Sequence, residues 1–583
     1  MAVPTNASST ANPPAPAKPP EKKHARDSIR ESLETIVFVV VLVFLLKQFV
    51  VEAFVIPTGS MAETLYGYQK NIKCAECEFE FPLNSSREVE GDPNMNGARR
   101  AIHGYCCPNC RYKHVFKQNE PLPYNSSGDR VLVHKAQYHQ FPPQRGDVVV
   151  FKYPAEPQRQ LGAQNYIKRL WGLGGETLAM WRGDIYVCDT LTYPPDVDRD
   201  GQTPRPEELW KFEYTHAGTT ETDAAVQRFE QSRAAGFADP GGFRLVRKND
   251  AMLEAMKRSV WDNDHQSNYL ANAGVPPRWK AETDDWTNDN ASMPKAFTHT
   301  GAGLGWLRYR HLVVENFNAL GGGPGKPVVK PKPVDNFLGY NGEVDDMNIG
   351  GFSSPEFVLE RQDYKFWVGD LIAECQAKFT DPNAEVTLEL SKGPNRFQAR
   401  FAGGNVTLTR TGENGKELAT KPTGITGGTH KLRFANVDCS LRVWVDGRKV
   451  DFGTAGEYDP GLPAKFEFDA ADEKKEGWTV KNDVDAPASI GASNGVEVSK
   501  LKLWRDTFYI NMQSGARGGA YDSLSNVTGT VYTYYVHPGH YMCFGDNSAQ
   551  SSDGREWGTV PERLMLGKAS FVFFPLDRIG FIK

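Results

Sequence analysis

Two residues far apart in the chain could act as a nucleophile and its base. Ser60 lies in the segment PTGSM, residues 57–61, where the preceding glycine can adopt a conformation that exposes the serine hydroxyl. A hydroxyl is a weak nucleophile until a base takes its proton, and lysine can be that base only when burial lowers the pKa of its amine. Lys135 follows the apolar residues of GDRVLVHK, residues 128–135, so its side chain can point into an interior. Such a Ser–Lys pair would perform acyl transfer, although neither half alone shows which partner it meets.

A second group of reactive side chains consists of cysteines. Five of the nine cysteines lie between Cys74 and Cys110, and four of these form two C-x2-C pairs, at Cys74/Cys77 and Cys107/Cys110. Each such tight turn supplies two thiolates, which is the donor set of a tetrahedral zinc site. Four thiolates leave no open coordination position, so we predict a structural zinc and no cofactor for catalysis. One or two disulfides are the alternative, if the region lies outside the cytoplasm.

An apolar segment precedes Ser60. Residues 36–46 contain no polar side chain, and a membrane-spanning helix needs about 20 residues, so we predict a transmembrane helix over residues 31–52. The preceding residues 1–30 are rich in proline and alanine and end in basic residues, which indicates a disordered tail in the cytoplasm. A cleaved signal peptide is the alternative, but the basic region is long and no small-residue cleavage site follows.

Length and charge limit the remaining organisation. With 583 residues the chain is too long for a single core, and its net charge of -5 gives no indication of a nucleic-acid partner. We predict a β domain that two insertions interrupt. Its parts are residues 53–66, 119–190 and 530–583, and the insertions are a zinc-ribbon-like segment (67–118), an irregular segment (191–350) and a β-sandwich (351–515).

Short apolar strands with turn signals make the predicted fold mainly β. Patterns typical of antiparallel strands occur in residues 145–151 and 166–176. Patterns typical of helices occur in residues 224–233 and 250–258. Residues 442–450 predict a hairpin with Asp446 and Gly447 at its turn. The sandwich is similar, in a general way, to concanavalin-like or laminin-G-like jelly rolls.

Five segments follow one another in an order that resembles the type I signal peptidases. They are the apolar segment, IPTGSM (56–61), GDRVLVHK (128–135), KRLWGLGGE (168–176) and GDNSAQSSDGREWG (545–558). The resemblance implies a membrane-bound serine endopeptidase that removes signal peptides from exported preproteins. It implies contact with the lipid bilayer, and a single-pass location in the inner (plasma) membrane with the catalytic domain outside the cytoplasm.

The same resemblance implies roles for individual residues. Ser60 corresponds to the nucleophile and Lys135 to the general base. Thr58 corresponds to a hydroxyl that, with the Ser60 N–H, binds the oxyanion, and Ser551 to the serine that orients the lysine. The structural support would come from an ion pair and a basic pair, namely Asp553 with Arg555 and Lys168 with Arg169.

Three other functions are compatible with parts of the sequence. The chain could be a catalytically silent, membrane-anchored protein that binds an unidentified ligand through its sandwich. A self-cleaving, repressor-like Ser/Lys protease is disfavoured by the apolar segment and by the lack of a helix-turn-helix pattern. A zinc enzyme at residues 74–110 is disfavoured because the sequence has no H-E-x-x-H or comparable open-site motif.

Overall fold

The structure of the protein is a computed structural model. It describes residues 25–91, 97–117, 120–154, 164–191, 215–217, 224–315, 327–345, 348–349, 352–353, 366–412, 415–459, 481–510 and 531–583. Most of the predicted disordered tail, and large parts of residues 191–223 and 346–365, lie outside these ranges. The chain divides into two compact units, residues 1–52 and 53–583.

The described part of the first unit is mainly one helix, Ala25–Phe49. Its apolar side chains, from Ile29 to Leu46, are exposed. Among the described residues, no helix combines the length and the apolar character that crossing a membrane requires.

The helices of the second unit are short. The α-helices are Ser86–Val89, Gln137–Gln140, Ala224–Ala234, Asp250–Met256, Asn268–Asn272, Lys481–Asp485 and Gly554–Trp557. The 3-10 helices are Gly59–Met61, Gly339–Asn341, Gly453–Gly456, Ser548–Gln550, Glu562–Leu564 and Leu576–Arg578. The two longest α-helices fall where the sequence predicts helices.

An eight-stranded sheet, which we name sheet I, carries the segments around Ser60. Its strands are, in spatial order, Val51–Val55, Arg130–His134, Met565–Phe574, Val148–Lys152, Asn165–Gly172, His540–Phe544 and Val560–Pro561, with Gly580–Phe581 paired to Met565–Phe574. Alternation in Arg130–His134 buries Val131 and Val133 completely, as a period of two on a half-buried strand requires. Both valines pack in a core with Ile56, which precedes the Ser60 turn, and with Met61, the last residue of that turn.

The strands of a five-stranded sheet, sheet II, lie in the chain between the two parts of sheet I. Its strands are, in order, Thr215–Ala217, Tyr532–Tyr535, Thr177–Trp181, Asp184–Cys188 and Arg244–Leu245. The strand Tyr532–Tyr535 returns from the C-terminal part of the chain to pair antiparallel with Thr177–Trp181. Residues before and after the sandwich are therefore joined in one sheet.

Two further sheets contribute to one large hydrophobic core. Sheet III has the strands Trp286–Asn288, Ala296–His299, Val496–Arg505, Leu371–Phe379, Gly428–Val437, Ser440–Val445 and Arg448–Val450, with Arg258–Asp262 paired to Val496–Arg505. Sheet IV has Trp279–Ala281, Gly305–Tyr309, Ala488–Ser493, Glu385–Lys392, Asn395–Ala402, Asn405–Thr411 and Lys416–Pro422. The predicted hairpin is present, with Asp446 and Gly447 at φ 48° and 79°.

The boundary predicted for the sandwich at residue 351 is corrected by these sheets. Strands between Arg258 and Tyr309 pair with strands that begin at Ala488 and Val496. Much of the segment predicted to be irregular therefore supplies sandwich strands. The prediction failed because these strands are short and carry tryptophan and charged residues, so their alternation is weak.

Each cysteine pair lies in a turn between two strands of a small three-stranded sheet. One contains Glu80–Asn84, Gln69–Lys73 and Asn125–Ser126, and the other contains Glu343–Asp345, Ile102–Cys106 and Lys113–Val115. The remaining pairs of strands are Leu312–Glu315 with Val328–Pro331 and Asn348–Ile349 with Phe352–Ser353. The fold is mainly β, as the sequence predicts.

Candidate active site

Ser60 occupies the middle of a single 3-10 turn, Gly59–Met61, and is 8% exposed. The side chain of Asn547 donates a hydrogen bond to Gly59 O at 3.0 Å, and its backbone N–H donates to Ser60 O at 3.1 Å. A side chain at position 59 has no room, because a Cβ there would lie 2.3 Å from the ring of Tyr340. Neighbouring segments therefore fix the turn from two sides.

The amine of Lys168 contacts the hydroxyl of Ser60. Lys168 Nζ donates to Ser60 Oγ at 2.7 Å and to Ile167 O at 2.9 Å. The residue is 3% exposed and lies on the strand Asn165–Gly172. Burial lowers the pKa of Lys168 to about 8, although the carboxylate of Asp553 opposes this change. A lysine with this pKa can be neutral near physiological pH and can then accept a proton.

The role predicted for Lys135 is corrected by this contact. The hydrogen bond to Ser60 comes from Lys168, one of the four residues for which the resemblance implied structural support. Lys135 is only half-buried, because the strand that buries Val131 and Val133 ends at His134 and its alternation does not continue to residue 135. A signal for Lys168 was available, since it lies within an apolar strand where a solvated lysine is not expected.

Asp553 and Arg555 form a buried, bidentate ion pair behind the lysine. Arg555 Nε and a terminal guanidinium nitrogen lie 2.8 and 2.6 Å from the two carboxylate oxygens of Asp553. Gly545 N donates to the same carboxylate at 2.8 Å. Burial acts to raise the pKa of Asp553, but the guanidinium of Arg555 holds it below its ordinary value. The carboxylate is therefore charged and faces the amine of Lys168 from within the protein.

A second buried ion pair joins Arg169 to Asp546, a residue that the sequence analysis did not assign. Arg169 Nε lies 2.9 Å from Asp546 Oδ1, and a terminal nitrogen lies 2.6 Å from Oδ2. Thr64 Oγ1 also donates to Oδ2 at 2.6 Å. Arg258 donates to the backbone oxygens of Ala62 and Asp546, both at 3.1 Å. The lysine strand, the serine turn and the C-terminal segment are thereby held together.

Thr58 and Ser551 take different positions around the turn. Thr58 immediately precedes the turn, with an extended backbone and an exposed side chain. Ser551 is 2% exposed. Its hydroxyl packs against Gly545, where a Cβ would lie 2.1 Å from Ser551 Oγ and 2.4 Å from Ser60 O. The roles predicted for both residues stay predictions.

An asparagine from the middle of the chain completes the site and was not found from the sequence. Asn341 and Asn547 exchange two side-chain hydrogen bonds, of 2.7 and 2.8 Å, and both residues are fully buried. Because Asn547 contacts Gly59 and Ser60 directly, Asn341 supports the turn through it. No sequence pattern marks Asn341, since its segment is distant from the other residues of the site.

The four cysteines predicted to bind zinc are brought together. Their sulfur atoms lie within 4.8 Å of one another, with Cys74 Sγ 3.7 Å from Cys110 Sγ and Cys77 Sγ 3.6 Å from Cys107 Sγ. A tetrahedron with Zn–S bonds of about 2.3 Å has edges of about 3.8 Å, so the sulfur positions fit zinc. The residues that follow each pair, Glu78 and Arg111, have φ of 57° and 63°. The turns at Cys74–Cys77 and Cys107–Cys110, which we call the knuckles, therefore end in the same left-handed backbone conformation.

A cluster of three carboxylates in the second unit forms ion pairs with two lysines. Asp184, Asp370 and Asp438 bring oxygen atoms within 4.8 Å of one another. Lys248 Nζ lies 2.6 Å from Asp438 Oδ1, and Lys392 pairs with Asp370. These ammonium groups supply positive charge to the cluster without a metal ion, so we interpret the cluster as a structural network of ion pairs.

The buried amine predicts a stability effect. The pKa of Lys168 is about 8 in the folded protein and 10.5 as an ordinary lysine, so the unfolded chain binds more protons between pH 8 and 10.5. Below pH 8 this difference costs about 3 kcal/mol, and it disappears as the pH rises through that window. We expect Lys168→Met to raise the free energy of unfolding at pH 7 and to lose this advantage at pH 10.5. Urea unfolding at both pH values measures the difference, and an equal gain at both would contradict the prediction.

Comparison with known proteins matches two parts of the chain to one family model. Residues 118–235 and 479–574 match the family model described as signal peptidase, peptidase S26. Lys168 lies in the first block and the Asp553–Arg555 pair in the second, whereas Ser60 lies outside both.

Individual relatives match over short segments. The chain is 44% identical over 68 residues to a probable signal peptidase I-1 of Synechocystis sp. (11% of this chain, 34% of that protein). It is 39% identical over 69 residues to signal peptidase I of Leptolyngbya laminosa (11% and 34%). A carbohydrate-binding module of Bacillus subtilis matches at 9% identity over 40% of this chain and 94% of that one, with a TM-score of 0.19, too low to establish a shared fold. The chain spans about a third of the length of these curated relatives. The two blocks of the family-model match lie on either side of residues 236–478.

Proposed function

We propose that the protein is a serine endopeptidase in which Ser60 is the nucleophile and Lys168 the general base. One observation carries the proposal, namely the 2.7 Å contact between Lys168 Nζ and Ser60 Oγ in a buried setting. The pKa of about 8 supports the assignment, because the amine can take the serine proton near neutral pH. The match to peptidase S26 supports the reaction class.

The reaction follows from the contacts of these two groups. Ser60 Oγ attacks the scissile carbonyl carbon while Lys168 Nζ accepts the hydroxyl proton. The tetrahedral intermediate collapses to an ester on Ser60, and the lysine returns its proton to the leaving amine. Lys168 then deprotonates a water molecule that hydrolyses the ester. We assign the oxyanion contact to the backbone N–H of Ser60 and to the hydroxyl of Thr58, which adjoins the turn.

We propose signal peptides of exported preproteins as the substrates. The named relatives are signal peptidases, and the strand Val51–Val55, which leads towards Ser60, is the outer strand of sheet I. An extended peptide can pair with such an edge and present its carbonyl to the turn. We also propose that the protein acts at the inner (plasma) membrane, with residues 53–583 outside the cytoplasm. The exposed apolar side chains of Ala25–Phe49 support attachment to lipid.

The pH dependence of the reaction is expected to report the base. Only the neutral amine of Lys168 accepts a proton, so kcat/KM should rise as the pH increases through about 8 and reach a plateau above it. Initial rates of cleavage of a signal-peptide substrate between pH 6 and 10 measure this profile. A profile that is flat across this range, or that falls through pH 8, would show that Lys168 is not the base.

The experiment that tests the function uses the full chain and a preprotein with an intact signal peptide. We expect cleavage at the end of the signal peptide, and no cleavage by Ser60→Ala. Mass spectrometry of a rapidly quenched reaction should find the acyl group on the peptide that contains Ser60. Cleavage by the Ser60→Ala variant would show that Ser60 is not the nucleophile.

A further inference from the structure

The segment that contains Asn341 also contacts one of the cysteine knuckles. We define residues 335–345 as the strap. At its start, Asp335 Oδ1 accepts a hydrogen bond of 2.8 Å from Arg111, which immediately follows the knuckle cysteine Cys110. The guanidinium carbon of Arg111 also lies 3.9 Å from the ring centroid of Phe337. The strap is therefore anchored to the knuckle through a charged and a cation–π contact.

Backbone contacts extend this anchor. Cys106 N donates to Gly342 O at 2.8 Å, and the strap strand Glu343–Asp345 pairs antiparallel with Ile102–Cys106. A Cβ at Gly339 would lie 2.6 Å from the side chain of Pro108, inside the knuckle. This close approach leaves little freedom for the strap to move independently of the knuckle.

The other side of the strap contacts the nucleophile turn. Tyr340 stacks on Tyr66 with ring centroids 5.3 Å apart and packs against Gly59. The next residue, Asn341, makes the reciprocal amide pair with Asn547. Residues 339–342 therefore contact the knuckle on one side and, on the other, Gly59 of the nucleophile turn and Asn547.

We propose that zinc bound by Cys74, Cys77, Cys107 and Cys110 positions the nucleophile through the strap, with Asn341 as the positioning residue. The inference rests on the proposed peptidase function. Zinc fixes the two knuckles relative to each other because each supplies two of its four ligands. The fixed knuckle holds the strap, and the strap orients Asn547, whose side-chain amide donates to Gly59 O and whose backbone N–H donates to Ser60 O. Asn341 touches neither the substrate nor the reacting atoms.

The test compares variants at the two ends of the strap in the full chain. We expect one zinc per chain in the wild type and in Asn341→Ser, and loss of zinc in Cys107→Ser. Each variant should reduce kcat about 10- to 100-fold with KM nearly unchanged, because a small displacement of a nucleophile has effects of this size. If zinc and Asn341 position the nucleophile through the same contacts, the variant that carries both Cys107→Ser and Asn341→Ser should be no slower than the slower single variant.

Matched variants separate the metal from the strap. Cys106→Ser replaces the neighbouring thiol, which is outside the cluster and lies 3.8 Å from Arg111 O, and should keep both zinc and kcat. Asp335→Asn removes the ion pair with Arg111 while leaving all four cysteines, and should keep zinc but reduce kcat about tenfold. Asp335→Asn therefore tests the coupling between the knuckle and the nucleophile even if Cys107→Ser does not fold.

A readout other than activity distinguishes failure of this inference from failure of the proposed function. Hydrogen exchange at the Asn547 amide, which donates to Ser60 O, should become faster in zinc-free protein and in Asn341→Ser. Faster exchange in a chain that never cleaves a signal peptide would overturn the function and retain the coupling. Absence of zinc from the wild type, wild-type kcat in both strap variants, or multiplicative losses in the double variant would overturn the coupling.

Discussion

Lys168→Ala is expected to reduce kcat/KM for a signal-peptide substrate by about 10⁴-fold, whereas Lys135→Ala should remain within a few-fold of wild type. General-base catalysis contributes about 10² to 10⁴, and removing one member of a nucleophile–base unit has an effect at the upper end of this range or beyond it. Lys168 contacts Ser60 Oγ at 2.7 Å, whereas Lys135 is half-buried beyond the end of its strand. The measurement is single-turnover cleavage at pH 9, where the wild-type amine is mostly neutral.

Folding of the inactive variant must be shown independently. Lys168→Met retains the length of the side chain and removes only the amine, so it should be as inactive as the alanine variant while unfolding at higher urea concentration. Circular dichroism and urea unfolding supply this control. Loss of activity in Lys135→Ala together with retention in Lys168→Ala would reverse the assignment.

Breaking the ion pair behind the lysine is expected to destabilise the protein by about 3–5 kcal/mol, because either partner is left as an uncompensated buried charge. Asp553 and Arg555 are both almost completely buried. Asp553→Asn leaves the guanidinium, and Arg555→Met leaves the carboxylate. We expect both single variants to unfold at lower urea concentration, and the double variant to be less destabilised than the sum of the two. Chemical unfolding of the three variants measures this.

The two single variants should shift the pH profile in opposite directions. The charge of Asp553 raises the pKa of Lys168, and the charge of Arg555 lowers it. Asp553→Asn should therefore move the rise in kcat/KM to lower pH, and Arg555→Met should move it to higher pH. A shift of both profiles in the same direction would show that the pair does not act on the lysine electrostatically.

The exposed pair Arg400–Glu385 is the control for the unfolding measurements, because breaking it should lower the free energy of unfolding by less than about 1 kcal/mol.

Local features of the fold could be predicted from the sequence. The hairpin at Asp446-Gly447 follows from a two-residue turn with positive φ, and the paired knuckles follow from C-x2-C spacing, because both patterns are set by neighbouring residues. The helix at Ala224–Ala234 is local in the same sense. The mainly β character follows from frequent short apolar strands. What these features share is that adjacent residues determine them.

The site itself depends on which strands become neighbours in the sheet, and the spacing of residues along the sequence does not determine that order. The sequence offered Lys135 and Lys168 as strand lysines, and only the order of strands in sheet I places Asn165–Gly172 beside the Ser60 turn. Asn341 was inaccessible for the same reason, since it reaches Asn547 across 206 residues. The early strands of the sandwich were missed because their partners begin at Ala488.

The contacts that complete the site have a consequence for the order of folding. Lys168 is 108 residues from Ser60, and Asn547 is 488 residues from Gly59. Contacts between such distant residues form late, because the entropy of closing long loops opposes them. A nascent polypeptide that has not yet reached residue 547 has the hydroxyl and the amine but lacks the amide that binds the turn. Assembly of the reactive centre is thereby delayed until residue 547 has been synthesised.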